Sequence, residues 1–518
     1  MKKISILWVD DEIDMLTAHI LFLREKGYDV YTATNGEKAL EEVKKNNFDL
    51  IFLDENMPGM SGMQTLSGIK DIKPDIPIVM ITKNEEEDVM DQAIGSKISD
   101  YLIKPVNPKQ ILLCIKKNID NQRLVSEKVT ADYQSEFSKI GIQISASMSF
   151  SEWCAIYKKL VHWELEIESS GNRQMEEILK YQKAEANNEF AKYIKNNYLQ
   201  WFNDENKEKP LLSPMVFRNR IFPLLDTGKK VFVIFIDNLR YDQWRVFYST
   251  IKNEWYLFSD ELFCSILPTT TQYARNAMFA GLMPLEIDKI NPGVWLFDEE
   301  EGGKNLNEEE LLRKYMARYG KSYTLYFDKI FNKKGEKKIL KNMKDLLQKQ
   351  LNILVYNFVD MLSHARTSQD IIKELADDEP AYRALTLSWF RHSHLFDLLK
   401  ILAEHDVTVV VTTDHGSISV NNPVKIIGDR ETSTNLRYKA GKSLNYNPKE
   451  VFEIRDLQKA HLPERNMAYT YIFSLNNDYF VYPNNYNHFV NYYKNTFQHG
   501  GVSLEEMLVP LAILKPNR

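Results

Sequence analysis

Cysteine is scarce in this chain of 518 residues. Only Cys114, Cys154 and Cys264 occur, and no two of them are closely spaced. A disulfide framework needs an even set of cysteines, and a thiolate zinc site needs cysteines in close pairs. The sequence therefore predicts neither feature, and it indicates a protein of a reducing compartment.

An excess of positive charge is also absent, because the formal net charge is -6. Sequence-independent binding to nucleic acid relies on a broad basic surface. The helical region at residues 121–207 also has no recognition-helix pattern or basic stripe that would suit a major groove. We therefore expect no direct binding to DNA.

Long apolar runs are missing as well. The first apolar stretch ends at Asp10-Asp11-Glu12, which is too early for a signal peptide or a membrane span. We therefore expect a cytoplasmic protein without membrane contact. At roughly 150 residues per domain, the chain length predicts about three domains.

Residues 1–120 alternate between strand-like and helix-like patterns. Five apolar runs of strand length are separated by segments of helical periodicity, such as Met15 to Arg24. The five runs are Ser5 to Val9, Val30 to Ala33, Leu50 to Leu53, Ile78 to Ile81 and Tyr101 to Ile103. This alternation predicts an α/β domain with a doubly wound parallel sheet of the flavodoxin-like kind.

Polar residues follow four of these runs at the ends where ligand sites form. Asp10 and Asp11 follow the first run, and Asp54 follows the third. Three carboxylates at one sheet edge can hold Mg²⁺ through oxygen ligands. Thr82 and Lys104 follow the fourth and fifth runs, where they could contact a phosphoryl group on Asp54. The chemistry is that of a phosphoacceptor site.

The segment resembles a response-regulator receiver domain. The resemblance rests on Val9-Asp-Asp-Glu12, Leu53-Asp-Glu-Asn-Met-Pro-Gly59, Ile81-Thr82 and Tyr101-Leu-Ile-Lys-Pro105. It implies that a sensor histidine kinase phosphorylates Asp54 and that Tyr101 and Thr82 switch position with the phosphoryl group. From the receiver motifs we also expect a homodimer that depends on phosphorylation.

Residues 121–207 have a helical pattern. Polar breaks near Ser145 to Ser151 and Ser169 to Asn172 separate the predicted helices. We expect a small bundle that acts as spacer, hinge or dimer contact, with its aromatic residues in the core.

In residues 208–518, acidic residues again follow apolar runs. Asp237, Asp360 and Asp414 come after Val231 to Ile236, Ile353 to Val359 and Val407 to Val411. Each should therefore lie at the carboxyl end of a buried parallel strand, where open α/β sheets place their ligand sites.

Two groups of metal ligands follow from this arrangement. Asp237, Asp414 and His415 would form one site together with a threonine hydroxyl. Asp360, His364 and His499 would form a second, in which Asp360 and His364 have the i, i+4 spacing of one helix face. Mixed nitrogen and oxygen ligands suit two Zn²⁺ ions, with Mn²⁺ as the alternative.

This region resembles the alkaline phosphatase superfamily and its PglZ branch. The matching motifs are Ile236-Asp-Asn-Leu-Arg240, Leu267-Pro-Thr-Thr-Thr-Gln-Tyr-Ala-Arg275, Asp360-Met-Leu-Ser-His364, Thr413-Asp-His-Gly416 and His499-Gly-Gly501. The resemblance implies a phosphodiesterase-like or phosphatase activity with Thr271 as nucleophile and metal ligand. Thr270 is the alternative nucleophile, because three threonines in a row leave the register open. The choice between diester and monoester substrates also stays open.

Together the regions resemble response regulators linked to type IX protein secretion. The preferred substrate class is phosphodiesters or nucleotides, and the candidate substrate contacts are Arg275, Arg437 and Lys439. The alternative function is a metal-stabilised platform without catalysis, which signals by binding a sigma factor or a secretion component. Loss of hydrolysis on removal of the nucleophile would separate the two functions.

Overall fold

The computed structural model describes residues 4–517 without 75, 84–97, 147, 204–208, 291–292, 298–299, 301, 377, 429–431 and 465–467. The chain divides into two compact units, Met1–Asp132 and Tyr133–Arg518. The bundle predicted at 121–207 thus shares most of its length with the second unit. The boundaries predicted at 120/121 and 207/208 stay predictions.

The first unit contains a five-stranded parallel sheet. Its strands are β1 (Ser5–Val9), β2 (Asp29–Ala33), β3 (Leu50–Asp54), β4 (Ile78–Thr82) and β5 (Asp100–Ile103). They are ordered β2-β1-β3-β4-β5, and each neighbouring pair is parallel. Strands β3 and β4 are buried along their whole length, as expected of a parallel sheet covered on both faces. The predicted flavodoxin-like sheet is confirmed.

Helices alternate with the strands of this sheet, and further helices follow in the second unit. The α-helices described before residue 200 are α1 (Thr17–Glu25), α2 (Gly36–Lys45), α3 (Gly62–Ile72), α4 (Pro108–Ile115), α5 (Asn121–Ile144), α6 (Phe150–Ser170) and α7 (Arg173–Asn197). The predicted polar breaks separate α5 from α6 and α6 from α7. Ser149 and Glu152 form a reciprocal capping box at the start of α6, and Gly171 ends it with a φ of +67°.

The second unit is built around a six-stranded mixed sheet. Its strands are β6 (Lys230–Ile236), β7 (Trp255–Cys264), β8 (Leu325–Ile330), β9 (Leu351–Tyr356), β10 (Val407–Thr412) and β18 (Leu508–Pro516). The order is β7-β18-β10-β6-β9-β8. Strands β10, β6, β9 and β8 are parallel, whereas β18 is antiparallel to β10 and β7. The three central parallel strands are those predicted to carry the acidic residues.

Seven shorter strands form smaller sheets between residues 418 and 498. They are β11 (Ile418–Val420), β12 (Asn422–Lys425), β13 (Tyr438–Gly441), β14 (Val451–Ile454), β15 (Thr470–Ser474), β16 (Asp478–Val481) and β17 (Thr496–Gln498). Strand β11 pairs with β17, β12 with β16, and β15 lies between β13 and β14.

The remaining α-helices of the second unit vary from one turn to fourteen residues. They are α8 (Gln200–Asn203), α9 (Phe222–Asp226), α10 (Tyr241–Ile251), α11 (Asn276–Ala280), α12 (Pro284–Ile290), α13 (Glu308–Arg318), α14 (Lys333–Lys341), α15 (Met343–Leu346), α16 (Phe358–Ser368), α17 (Asp370–Leu375), α18 (Glu379–His392), α19 (His394–Ala403), α20 (Tyr486–Tyr493) and α21 (Leu504–Met507). Across the described residues, no helix combines the length and the apolar character needed to cross a lipid bilayer.

Candidate functional site

The carboxyl ends of β1, β3 and β5 converge in the first unit. Lys104 Nζ lies 2.8 Å from Asp54 Oδ1 and 2.9 Å from Asp10 Oδ2. Asp10, Asp11 and Asp54 each offer an oxygen within 4.8 Å of the others, which fits a Mg²⁺ site. Burial raises the pKa of Asp54, although Lys104 acts in the opposite direction. A bound cation would favour the charged carboxylate that accepts a phosphoryl group.

Thr82 and Tyr101, which with Lys104 are the predicted switch residues, lie in the neighbouring strands β4 and β5. Thr82 is buried at the end of β4 and donates its hydroxyl hydrogen bond to Glu55. Tyr101 in β5 is more than a third exposed, so its ring is partly free to move. Their switching role stays a prediction.

The first metal cluster consists of Asp237, Asp414 and His415, which lie in the loops after β6 and β10. These strands are adjacent and parallel, so both loops leave the same edge of the sheet. The three side chains are buried, and their ligand atoms lie within 4.8 Å of one another. His415 Nδ1 lies 3.0 Å from Gly416 O, and a carbonyl can only accept. The proton is therefore on Nδ1, and the Nε2 lone pair faces the cluster.

Thr271 lies at the edge of the first cluster. Its Oγ1 is 3.2 Å from His415 Nε2 and 3.4 Å from Asp237 Oδ1. Thr269 instead donates to Gly501 O, and Thr270 Oγ1 is buried with no hydrogen-bond partner among the described residues. Of the three consecutive threonines, Thr271 is the one whose hydroxyl contacts two predicted metal ligands.

The second cluster consists of Asp360, His364 and His499, and their ligand atoms also lie within 4.8 Å of one another. His364 Nε2 is 3.4 Å and His499 Nε2 is 3.7 Å from the Asp360 carboxylate. His499 Nδ1 faces Thr269 O at 3.2 Å, which again leaves Nε2 as the free acceptor.

One detail of the second cluster differs from the prediction. The sequence pattern places Asp360 at the end of a strand running to Val359, but β9 ends at Tyr356 and Asp360 lies in the first turn of α16. Apolar residues continue across this junction because α16 also buries Val359. The predicted i, i+4 relation to His364 holds, since both residues are in α16.

The two clusters adjoin each other. The rings of His415 and His499 stack with centroids 4.2 Å apart. Asn238 also spans the gap, because its side-chain amide donates to Asp360 Oδ1 at 3.3 Å and its backbone N–H donates to Asp414 Oδ1 at 3.4 Å. Adjacent ligand groups of this kind match the geometry of a two-ion centre.

Electrostatics favour a cation at the first cluster. Burial raises the pKa of Asp237 well above its usual range and also raises the pKa of Asp414. Within the described part of the chain, Asp414 Oδ2 is buried without a hydrogen-bond partner. Arg275 Nη1 lies 2.7 Å from Asp237 Oδ2 and 3.9 Å from Asp414 Oδ2, so one cation faces two buried carboxylates. Buried carboxylates beyond those that a cation pairs favour a metal ion. The buried group of two aspartates and a histidine is thus suited to bind one.

The histidines are mostly in the state that a metal requires. Burial lowers the pKa of His415, and burial together with the neighbouring His415 lowers the pKa of His499 to about 3. Both are therefore neutral near pH 7, as metal binding demands. The hydrogen bond to Asp360 raises the pKa of His364 instead. Burial alone would raise the pKa of Asp360, but His364 and His499 hold it below its ordinary value.

The three candidate substrate contacts are all buried and already paired. Arg275 Nη1 lies 2.7 Å from Asp237 Oδ2, and its Nε donates to Glu308. Arg437 pairs with Glu506, and Lys439 Nζ donates to Ser433 O. These internal contacts account for the burial of the three cations without a substrate. Their role in substrate binding stays a prediction.

Two further residues near the site were not singled out from the sequence. Asn238 joins the two clusters, and its φ of +62° is a backbone conformation that asparagine tolerates better than most residues. Arg240 is fully buried and contacts Asp242 and Glu379. Both belong to the motif Ile236-Asp-Asn-Leu-Arg240, so their closeness to Asp237 in the sequence could have identified them as site residues.

Three family models match the chain in sequence order. The response regulator receiver domain matches residues 6–116, the PorX response regulator linker domain matches 123–202, and the BREX system PglZ alkaline phosphatase-like domain matches 216–514. The last match covers more than half of the chain. The first and last domains define a response regulator with an alkaline phosphatase-like output domain. With the matching linker between them, the chain belongs to the PglZ alkaline phosphatase-like family as a PorX-type response regulator.

Individual relatives align with a smaller part of the chain. The transcriptional regulatory protein ZraR of Klebsiella oxytoca is 36% identical over 140 residues, or 27% of this chain and 32% of that protein. The alkaline phosphatase synthesis transcriptional regulatory protein PhoP of Bacillus subtilis is 36% identical over 109 residues, or 21% of this chain and 45% of that protein. The alignments thus span less than half of the length of these relatives.

Solved structures of similar proteins include two receiver proteins. The chemotaxis protein CheY4 of Vibrio cholerae is 28% identical and covers 23% of this chain and 99% of its own, with a TM-score of 0.22. The response regulator TrrA of Thermotoga maritima, solved with Mg²⁺ and BeF, is 33% identical and covers 22% of this chain and 97% of its own, with a TM-score of 0.21. The receiver domain implies a cognate histidine kinase as partner.

Proposed function

We propose that this chain is a cytoplasmic two-component response regulator, phosphorylated on Asp54, whose output domain is a zinc-dependent phosphodiesterase-like hydrolase. The observation that carries the proposal is the position of the Thr271 hydroxyl beside two adjoining clusters of metal-ligand type. The family membership of the output domain supports the same reaction class.

The ligand residues of the first and second clusters fit two zinc ions. Asp237, Asp414 and His415 would hold one, with Thr271 at its edge, and the three residues of the second cluster would hold the other. Bound there, the ions would supply charge stabilisation for phosphoryl transfer. Thiolates are absent from both groups, and nitrogen and carboxylate oxygen are common ligands of catalytic zinc.

The chain's own residues prepare Thr271 for attack on phosphorus. With His415 and Asp237 as ligands of the proposed zinc ion, their closeness to the Thr271 hydroxyl would place that hydroxyl beside the ion, which would favour its deprotonation. A threonine hydroxyl is a weak nucleophile unless a base or a metal activates it. Attack on a phosphodiester would form a bond between Thr271 Oγ1 and phosphorus and break the bond to one ester oxygen, which leaves as a protonated alcohol. Attack of water on the resulting threonyl phosphodiester would release the phosphomonoester and restore the Thr271 hydroxyl. The first ligand group is buried, whereas His364 of the second group is exposed, so a substrate in solution can approach the site from the side of the second group.

Substitution of Thr271 tests this function. Thr271→Val should lower hydrolysis of an aryl phosphodiester by on the order of 10⁴-fold or more, because the nucleophile is lost. Zinc content should stay at two ions, and Thr271→Ser should retain much of the activity. Thr270→Val is the matched control and should remain active. A Thr271→Val chain as active as wild type would contradict the proposal.

The substrate class and the biological role form part of the same proposal. We favour phosphodiesters or nucleotides, and parallel assays with aryl monoesters would measure the preference. The PorX-type linker and receiver support a link to control of type IX protein secretion. If zinc is bound but neither ester is hydrolysed, the output domain would instead be a platform for a sigma factor or a secretion component.

A further inference from the structure

Helix α7 of the linker is hydrogen-bonded to α21, a short helix that packs against the loop of the first cluster. Asn187 in α7 is buried, accepts a hydrogen bond from Leu504 N at 2.8 Å and donates to Glu505 Oε2 at 3.0 Å. Gly416, in the loop of the first cluster, donates its N–H to Glu506 O at 3.2 Å. A Cβ at Gly416 would approach Glu505 O to 2.0 Å, so α21 and this loop are in tight contact. Asn187 therefore fixes a helix that abuts the first cluster.

The residue that follows α7 binds the loop of the nucleophile. The Tyr198 hydroxyl is buried and accepts a hydrogen bond from Leu267 N at 2.8 Å, four residues before Thr271. The same loop is tied to the segment of the second cluster, because Thr269 Oγ1 accepts from Gly500 N and donates to Gly501 O, both at 3.0 Å. Tyr198 thus anchors one end of a loop that lies between the two clusters.

A third contact of α7 leads to the loop after β6. Lys183 Nζ lies 3.3 Å from Glu379 Oε2 and 3.6 Å from Glu505 Oε1. The same oxygen of Glu379 lies 3.4 Å from Arg240 Nη2. Arg240 follows Asp237 by three residues and is itself 1% exposed. Lys183 and Arg240 therefore share one carboxylate beside the metal loop.

Helix α6 strengthens this connection from the other side. Glu164 in α6 accepts from Lys183 at 2.8 Å and from Arg383 at 3.0 Å, and Arg383 also contacts Asp242. Asp242 pairs with Arg240 at 2.7 Å. Buried charged networks restrain their members to the extent that they are paired, and among the described residues Arg240 Nη1 and Arg383 Nε have no hydrogen-bond partner here. The linker helices and the metal loop are therefore joined by one extensive polar network.

We propose that helix α7 positions the output site and that Lys183, Asn187 and Tyr198 are its positioning residues. Asn187 contacts the helix beside Gly416, and Tyr198 contacts the nucleophile loop. Lys183 contacts Glu505 of the same helix and Glu379, which in turn pairs with Arg240 in the loop after β6. None of the three is itself a metal ligand. The linker thereby sets the separation of the metal-binding loops, and a change in α7 alters both zinc affinity and turnover. This inference rests on the proposed function of the same site.

Two variants of the full chain test the inference. Tyr198→Phe removes only the hydroxyl that accepts from Leu267 N, and Asn187→Leu removes both contacts to α21. Gln182→Leu is the matched control, because Gln182 is buried in α7 but contacts Tyr133 and Phe137 O within the bundle. Zinc affinity would be measured by chelator competition, together with kcat, KM and the melting temperature of the metal-free chain.

The expected result is a loss of zinc affinity of about 10- to 100-fold in Tyr198→Phe and Asn187→Leu, as for other residues that orient metal ligands. The kcat should fall while KM changes little, and Gln182→Leu should match wild type in both respects. Zinc affinity and kcat equal to wild type in both variants would overturn the inference. A wild-type chain that binds zinc without hydrolysing any ester would contradict the proposed enzymatic function. The zinc affinities of the two variants would still test whether α7 positions the metal-binding loops. A wild-type chain without zinc would overturn both.

Discussion

At the scale of single residues, the backbone around a side chain determines which atom it offers to a ligand. His415 and His499 each direct Nδ1 at a carbonyl oxygen, Gly416 O or Thr269 O, and so present Nε2 to their clusters. A sequence motif identifies such a histidine as a candidate metal ligand. It gives no information on the carbonyl oxygen that determines which ring nitrogen carries the proton. The six cluster residues could therefore be predicted from sequence, whereas their protonation could not.

Asn238 yields a prediction at this scale. Asn238→Gly removes the amide that reaches Asp360 while keeping a residue that accepts the positive φ. The affinity of the second cluster for zinc should fall by about 10- to 100-fold, because the carboxylate loses the group that orients it. A two-site zinc titration measures this change.

Asn485→Gly provides the control for this substitution. Asn485 also has a positive φ, of 52°, but its side chain makes no capping hydrogen bond at α20. Its zinc affinities should equal those of the wild type. Unchanged affinity of the second site in Asn238→Gly would show that the amide does not orient Asp360.

At the scale of secondary-structure elements, parallel strands explain what the sequence could predict. Acidic residues that follow β6 and β10 meet because these strands are parallel neighbours, so their positions follow from the apolar pattern alone. The junction between β9 and α16 could not be located, because Phe358 and Val359 are apolar residues that suit either element. Contacts of α7 with distant loops also lie beyond local patterns, since they join residues more than 60 positions apart.

The capping box of α6 gives a prediction for an element. Ser149 accepts from Glu152 N, and the Glu152 carboxylate accepts from Ser149 N. Ser149→Ala should lower the free energy of unfolding by about 1 kcal/mol, because backbone N–H groups at the helix start lose their partner. Urea unfolding followed by circular dichroism measures the loss. Ser169→Ala, near the other end of α6, should change stability by less than about 0.5 kcal/mol, and equal midpoints for both variants would contradict the prediction.

At the scale of the whole molecule, the receiver motifs predict assembly under control of phosphorylation. Phosphorylation of Asp54 should raise the dimer fraction, because a phosphoryl group adds about -1.5 to -2 charge beside Thr82 and Lys104. Beryllofluoride with Mg²⁺ mimics the phosphoryl group on Asp54 and should have the same effect. Sedimentation velocity measures the fraction, and Asp54→Ala serves as the control that should stay unresponsive. An identical sedimentation profile for the wild type with and without beryllofluoride would count against the dimer.

The most direct test of the whole account is a crystal structure of the zinc-loaded chain with anomalous diffraction measured above and below the zinc absorption edge. We predict two anomalous peaks, one bounded by Asp237, Asp414 and His415 and the other by the residues of the second cluster. Peaks that are absent from both clusters, with the six side chains well ordered, would contradict the proposed metal centre.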